Sequence, residues 1–271
     1  MYLLMVSFLS VAQEERIDPI INKKPFNVGE SIRMFSETLN EERVLNIYLP
    51  NGYDAKGDQK YPVIYLLDGS TDEDFIHVAG LVQFGSFSWI NMIPETIVVG
   101  IANIDRKRDF TYPSNNKRDQ TEFPTTGGSK NFIDFIENEV IPLVDFEYQV
   151  TKEKTIIGQS LGGLLATEIL FKAPQLFDHY IIVSPSLWWD DESLLTKKLD
   201  SKLAPKSIYV AVGKEGEVME RVAQELHLKL QKLALHNTKL FYKFLEGQDH
   251  GDALHLAVYD AFEKMFRKKQ E

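Results

Sequence analysis

The sequence predicts an α/β fold in which a mostly parallel central sheet carries an N-terminal antiparallel hairpin and helices on both faces. Three observations support this prediction: two strand-like runs at the start, six short apolar runs after them, and helical stretches between most of those runs. Continuous rather than alternating apolarity is typical of strands that are buried on both faces of a parallel sheet. Alternation of strands and helices then implies right-handed crossovers between parallel strands.

The hairpin is predicted at 31–39 and 43–49, where two strand-like runs flank the turn-prone segment Asn40-Glu41-Glu42. Buried strands are predicted at 63–67, 96–102, 154–157, 180–183, 207–212 and 240–245. Helices are predicted at 131–144, 161–171, 218–235 and 253–266. Two long connections, 103–129 and 185–205, interrupt this pattern, and connections of such length are often functional. A hairpin that leads into a parallel sheet is the layout of an α/β hydrolase.

Composition limits the classes of protein that the chain can belong to. Its 271 residues contain no internal repeat and no linker, which favours one domain over 13–271. The net charge of −10 argues against nucleic acid and against an anionic membrane surface as partners. The absence of cysteine excludes disulfides, thiolate metal sites and a cysteine nucleophile.

The first twelve residues are predicted to be a signal peptide. Residues 2–12 are mostly apolar, and Ser10-Val11-Ala12 places small residues where signal peptidase requires them. Cleavage after Ala12 would make the mature protein periplasmic or secreted. The alternative is an apolar N-terminal helix of a cytoplasmic protein. The run is too short to predict stable insertion in a membrane.

The segment IIGQSLGG at 156–163 places Ser160 between the end of a predicted strand and the start of a predicted helix. This is the context of a nucleophile elbow, in which Gly158 and Gly162 leave room for closely packed neighbouring chains. The turn would project the serine hydroxyl above the sheet, beside the positive end of the helix dipole. We therefore predict Ser160 as a catalytic nucleophile, against the alternative of a structural turn.

A serine nucleophile needs a base, and α/β hydrolases present serine, acid and histidine in that chain order. Of the six histidines, only His250 lies in a loop between the last predicted strand and the last predicted helix. We predict it as the base. A metal site formed by Asp249, His250 and His255 is a minor alternative, and no metal is predicted.

The acid is expected after the strand at 207–212, where the sequence VGKEGEVME offers glutamates and no aspartate. We predict Glu217, because the apolar side chains of Val218 and Met219 would fix the loop to the core. Glu215 is the alternative, and an aspartate near 190 or a dyad without an acid stays open. The acid would hold the imidazole in one tautomer and stabilise the imidazolium.

The oxyanion hole needs two backbone N–H donors. One is expected from Leu161, directly after the nucleophile. The other is expected from the loop after the strand at 63–67, where Ser70 is our prediction and Gly69 the alternative.

With YLLDG, GQSLGG, SPSLWW, RKRDFTYP and the late DHG in place, the chain resembles the putative-esterase family of α/β hydrolases. The similar branch is that of the enterobactin-type siderophore esterases. The resemblance implies a Ser–His–acid hydrolase of esters, without cofactor or metal, in which Ser160 is the nucleophile and His250 the base. Many relatives carry an aspartate as the acid, whereas this chain offers glutamates.

The substrate is expected to be a small or aromatic ester of the siderophore type. Trp188 and Trp189 follow a predicted strand at the sheet edge where ligands bind, so we predict that they line the pocket, with packing in the core as the open alternative. Five cations of the long loop would attract an anionic substrate, but acidic neighbours nearly cancel them and favour a solvated loop. These cations are Arg106, Lys107, Arg108, Lys117 and Arg118.

Two other functions stay open from sequence. An acyltransferase would pass the same acyl-enzyme to an alcohol, and a non-catalytic binding protein would carry a relic site. The intact serine, histidine and glycines argue against the relic. The oligomeric state is not predicted.

Overall fold

The computed structural model describes residues 21–199, 205–233, 235 and 237–267 of the chain. The predicted signal peptide at 1–12 lies outside these residues and stays a prediction. Within the described residues, no helix is both long enough and apolar enough to cross a membrane.

The central sheet has eight strands in the order β1-β2-β4-β3-β5-β6-β7-β8. The strands are β1 (Glu30–Ser36), β2 (Glu41–Tyr48), β3 (Tyr61–Leu66), β4 (Ile97–Ile101), β5 (Val150–Gln159), β6 (His179–Val183), β7 (Ser207–Gly213) and β8 (Lys239–Leu245). β2 pairs antiparallel with both β1 and β4, and every other pairing is parallel. The predicted hairpin and the mostly parallel sheet are therefore confirmed.

Helices cover both faces of this sheet. They are α1 (Phe75–Gly85), α2 (Arg106–Phe110), α3 (Lys117–Glu122), α4 (Ser129–Phe135), α5 (Ile141–Glu147), α6 (Leu161–Lys172), the short turn α7 (Trp189–Glu192), α8 (Glu217–Lys232) and α9 (Ala253–Met265). A π-helical turn at Ile136–Val140 joins α4 to α5, so the predicted helix at 131–144 is one continuous element. α1 and α9 pack on one face, and α4, α6 and α8 pack on the other.

Strands that are buried on both faces explain the continuous apolar runs. On β5, Ile156 belongs to the core beneath α6, whereas Ile157 belongs to the core beneath α1 and α9. Successive side chains of a strand point to opposite faces, so both must be apolar here. Parallel strands β3 and β5 to β8 bring their carboxyl ends to one edge of the sheet, and the predicted site residues lie there.

Candidate active site

Ser160 lies in a sharp turn between β5 and α6, as the glycine spacing predicts. Its backbone φ is +58°, a conformation that is unfavourable for a residue with a side chain and is over-represented at active sites. A Cβ atom on Gly158 would lie 2.3 Å from the carbonyl oxygen of Gly162, so glycine is needed at that position. The Ser160 amide donates to the carbonyl of Val183 on β6 at 3.1 Å, which fixes the turn to the sheet.

His250 and Glu215 meet at the same edge of the sheet. The Nδ1 atom of His250 lies 2.5 Å from Oε2 of Glu215. The Nε2 amide of Gln159, the residue before the nucleophile, donates to the His250 carbonyl at 2.6 Å. Ser160, His250 and Glu215 all line one cavity of about 620 Å³. The structure therefore brings the predicted nucleophile and the predicted base together with a carboxylate.

The Glu215 carboxylate is almost fully buried, with 2% of its side chain exposed. Its Oε1 atom accepts a hydrogen bond from the Gly213 amide at 2.9 Å and another from the Ser184 hydroxyl. Burial alone would raise the pKa of the Glu215 carboxyl, but the hydrogen bonds from His250, Ser184 and Gly213 outweigh it and the pKa lies below its usual value. The carboxyl is thus held in its ionised form.

The geometry favours the alternative Glu215 over the predicted Glu217 as the acid, because, of the two, only Glu215 contacts His250 among the described residues. Gly216 has a φ of +91° and turns the chain, so Glu217 becomes the exposed first residue of α8. Val218, which was expected to fix the loop to the core, is 49% exposed, although Met219 is partly buried there. The available sequence signal for Glu215 was its position, two residues after the end of β7 at Gly213.

The two predicted oxyanion donors have different surroundings. Leu161 is the first residue of α6 and directly follows the nucleophile. The Ser70 amide donates to the carboxylate of Glu73 at 3.2 Å, and Ser70 is not among the residues lining the Ser160 cavity. The Gly69 amide is bonded to the Ile101 carbonyl, which removes this alternative. The role of Ser70 stays a prediction.

Of the two tryptophans, one lines the cavity and the other belongs to the core. Trp188 is partly exposed beside Ser160 and Met219. Trp189 is fully buried, and its indole Nε1 donates to the Tyr112 carbonyl at 2.8 Å. The structure therefore does not support Trp189 as a substrate contact, because its ring packs beneath the long loop and does not line the Ser160 cavity.

Two of the five cations of the long loop are engaged within the fold, whereas the other three are exposed, as expected for a solvated loop. Arg106 binds Asp68 through two hydrogen bonds of 2.5 and 2.9 Å, and its guanidinium also donates to the Gln159 carbonyl at 3.3 Å. Arg108 binds both carboxylate oxygens of Glu41, at 3.0 and 2.6 Å. These pairs join the loop to β2, to the end of β3 and to the residue before the nucleophile.

Two of the three exposed cations have local partners. Lys107 lies over the ring of Phe123 at 5.0 Å, and Arg118 pairs with Glu122 one helical turn later.

The alternative of a metal site at Asp249, His250 and His255 loses one of its ligands. His255 packs edge-on against His77 across α1 and α9, with 5.0 Å between ring centroids, whereas His250 is bonded to Glu215.

One contact of the nucleophile was missed from sequence. The hydroxyl of Ser186 lies 3.4 Å from that of Ser160, and the Ser186 amide donates to the Ser160 carbonyl at 3.0 Å. Ser186 belongs to the SPSLWW segment, which carries part of the family resemblance. The position of this segment between β6 and the site was the available signal.

Comparison with known proteins places the chain among esterases of similar length. Residues 36–262 match the family described as "Putative esterase". The chain is 30% identical over 253 residues to the ferri-bacillibactin esterase BesA of Bacillus subtilis (strain 168), which covers 85% of this chain and 87% of that protein. An IroE-like serine hydrolase from Shewanella oneidensis has a TM-score of 0.77 and 32% identity, covering 88% of this chain and 80% of that chain.

A second solved structure, the BES protein from Bacillus cereus, has a TM-score of 0.79 and 28% identity. The match covers 93% of this chain and 99% of that chain. In each comparison most of both chains is covered, so the similarity concerns the whole fold and not one motif.

Proposed function

The chain belongs to the putative-esterase family and is a carboxylesterase-type hydrolase, and from this premise we propose that it cleaves siderophore-type esters through Ser160, His250 and Glu215. The observation that carries this proposal is the contact of the buried Glu215 carboxylate with Nδ1 of His250, at the cavity that Ser160 also lines. In that contact His250 donates from Nδ1, which leaves Nε2 free to accept a proton.

Acylation begins when the Ser160 hydroxyl oxygen attacks the ester carbonyl and His250 Nε2 takes the hydroxyl proton. The negative charge of Glu215 stabilises the imidazolium that forms. The amide of Leu161 would donate to the oxyanion of the tetrahedral intermediate. The predicted second donor, the Ser70 amide, would first have to give up its hydrogen bond to the exposed Glu73 carboxylate. When this intermediate collapses, the carbon–oxygen bond to the alcohol breaks and the imidazolium gives its proton to the departing alkoxide.

Deacylation repeats these steps with water. His250 takes a proton from the water, whose oxygen attacks the acyl carbonyl bound to Ser160. Collapse of the second intermediate breaks the bond to the serine oxygen, which recovers its proton from the imidazolium. The products are a carboxylic acid and an alcohol, and the enzyme returns to its starting state.

The lining of the cavity supports an acyl or aryl group, and its charged side chains are one cation, Lys214, and two carboxylates, Glu215 and Asp249. Trp188 and Met219 offer apolar surface, and Lys214 provides a cation beside them. A flat aromatic ring can pack on an indole, and an ammonium group attracts a phenolate or carboxylate. The name of the Bacillus subtilis relative gives ferri-bacillibactin as a substrate of that protein, which makes it the substrate to test here.

The test compares hydrolysis of ferri-bacillibactin and of p-nitrophenyl acetate by the wild type, Ser160→Ala and His250→Ala, with the exposed Ser88→Ala as a matched control. We expect both substrates to be cleaved by the wild type and the control, with rates reduced about 10³-fold or more in the two site variants. Cleavage of p-nitrophenyl acetate alone would contradict the substrate class. Product analysis in the presence of added alcohols would reveal acyl transfer in place of hydrolysis.

A further inference from the structure

The segment Ser184-Pro185-Ser186, which follows β6, runs between the carboxylate and the nucleophile. Ser184 is fully buried, and its amide donates to the Ala211 carbonyl on β7 at 2.7 Å. Its hydroxyl donates to Oε1 of Glu215. At the other end, the Ser186 amide donates to the carbonyl of Ser160 at 3.0 Å. Two residues of this segment thus contact the carboxylate of Glu215 and the nucleophile residue Ser160.

The backbone of Ser184 has a φ of +45°, in the left-handed region that favours glycine. Glycine would satisfy this conformation without strain but would bring no hydroxyl. Among the contacts of the described residues, the Ser184 hydroxyl has one partner, the Glu215 carboxylate. The unfavourable backbone conformation therefore coincides with one specific side-chain contact.

Glu215 divides its two oxygens between different partners. Oε2 meets His250, and Oε1 accepts from Ser184 and from the Gly213 amide. Rotation of the carboxylate about its terminal bond would break the contacts on both sides. Since the side chain is 2% exposed, water cannot readily replace a lost donor. The Ser184 hydroxyl is placed to fix the direction in which Oε2 points.

We propose that Ser184 is a positioning residue for ester hydrolysis, which acts by holding the Glu215 carboxylate so that its second oxygen fixes the tautomer of His250. The proposal rests on the proposed function of Ser160, His250 and Glu215. The segment also packs tightly beyond Ser184, because a Cβ atom on Gly163 of α6 would lie 3.0 Å from the Cα atom of Pro185. Ser184 therefore belongs to a segment that packs against α6, the helix that follows the nucleophile.

The test uses Ser184→Ala, which keeps the strained backbone and removes the hydroxyl, and Ser184→Gly, which removes both the strain and the hydroxyl. We expect both variants to lower kcat by roughly 10-fold to 100-fold while KM changes less than about twofold. If Ser184 acts through the acid, Ser184→Ala should change kcat by less than about twofold when it is introduced into Glu215→Ala. Wild-type kcat in the glycine variant, or an equal loss in both backgrounds, would overturn the proposal.

A substrate-free measurement separates this proposal from the proposed function. In the wild type, the hydrogen bond to Glu215 should give the Nδ1 proton of His250 a slowly exchanging, strongly downfield NMR signal. We expect the signal to weaken or move in both Ser184 variants and to persist in Ser88→Ala. An unchanged signal in both Ser184 variants would contradict positioning even if hydrolysis by Ser160 is established. A changed signal would support positioning even if Ser160→Ala kept its activity.

Discussion

Replacement of the Glu215 carboxylate by an amide, in Glu215→Gln, should nearly abolish turnover. The Oε1 position receives the N–H of Gly213 at 2.9 Å, and an N–H can only donate, so the amide nitrogen of glutamine is disfavoured there. The amide nitrogen must then face Nδ1 of His250. That atom would have to accept, which moves the imidazole proton to Nε2 and prevents it from taking the Ser160 proton.

The size of the loss follows from this change of tautomer. Aspartate-to-asparagine replacement at the corresponding position of a serine protease lowers kcat by about 10⁴-fold. We expect a loss of about 10³-fold to 10⁴-fold here, which equals about 4–5.5 kcal/mol of transition-state stabilisation. Steady-state hydrolysis of p-nitrophenyl acetate at neutral pH measures it, with melting temperatures to confirm that the variants fold.

Glu217→Gln is the matched control, because Glu217 is exposed at the start of α8 and lies two residues from Glu215. We expect its kcat to stay within about twofold of the wild type. The reasoning would be refuted if Glu217→Gln lost as much activity as Glu215→Gln, or if Glu215→Gln kept more than about a tenth of the wild-type rate.

Three further variants test the surroundings of the site. Asp74→Asn should raise the free energy of unfolding above pH 6, because burial raises the pKa of this carboxyl to about 6 and so disfavours its charged form in the folded state. The gain should be about 1–2 kcal/mol at pH 7 after allowance for solvent screening and should vanish near pH 3, where folded and unfolded states are both protonated; urea unfolding at pH 7 and at pH 3 measures it. Arg43→Met should lower the free energy of unfolding by about 3 kcal/mol in the same assay. The substitution removes a fully buried guanidinium that lies 2.8 Å from the buried carboxylate of Asp109. Trp188→Ala should raise KM for an aryl ester about 10-fold and KM for an acetyl ester much less, as measured in steady-state assays of both esters. Equal changes in the two KM values would argue against packing of the substrate ring on this residue.

The parts of the site that could be predicted from sequence are those that depend on local chain geometry. The elbow at Ser160 is specified within eight residues, since a strand end, two spaced glycines and a helix start are all visible in IIGQSLGG. His250 could be placed because chain order and loop position leave one candidate. Continuous apolar runs likewise identified the parallel strands, because burial on both faces leaves no alternation.

The parts that could not be predicted depend on contacts between distant segments. The choice between Glu215 and Glu217 turns on the left-handed backbone at Gly216, which decides where each side chain points. Trp188 and Trp189 are adjacent, yet only the structure distinguishes a cavity wall from a core ring beneath the long loop. Asp68 meets Arg106 across 38 residues of sequence, a separation that no local pattern reveals.

The central claim is that Ser160 forms the acyl-enzyme, and covalent labelling with a fluorophosphonate tests it most directly. Intact-mass spectrometry and peptide mapping of the labelled wild type should find one adduct, on Ser160, with hydrolysis of p-nitrophenyl acetate lost in proportion to labelling. Ser160→Ala should take up no label and show no hydrolysis above that of a buffer blank, while Ser88→Ala should behave like the wild type. An adduct on another residue, or a wild-type rate in Ser160→Ala, would contradict the assignment of the nucleophile.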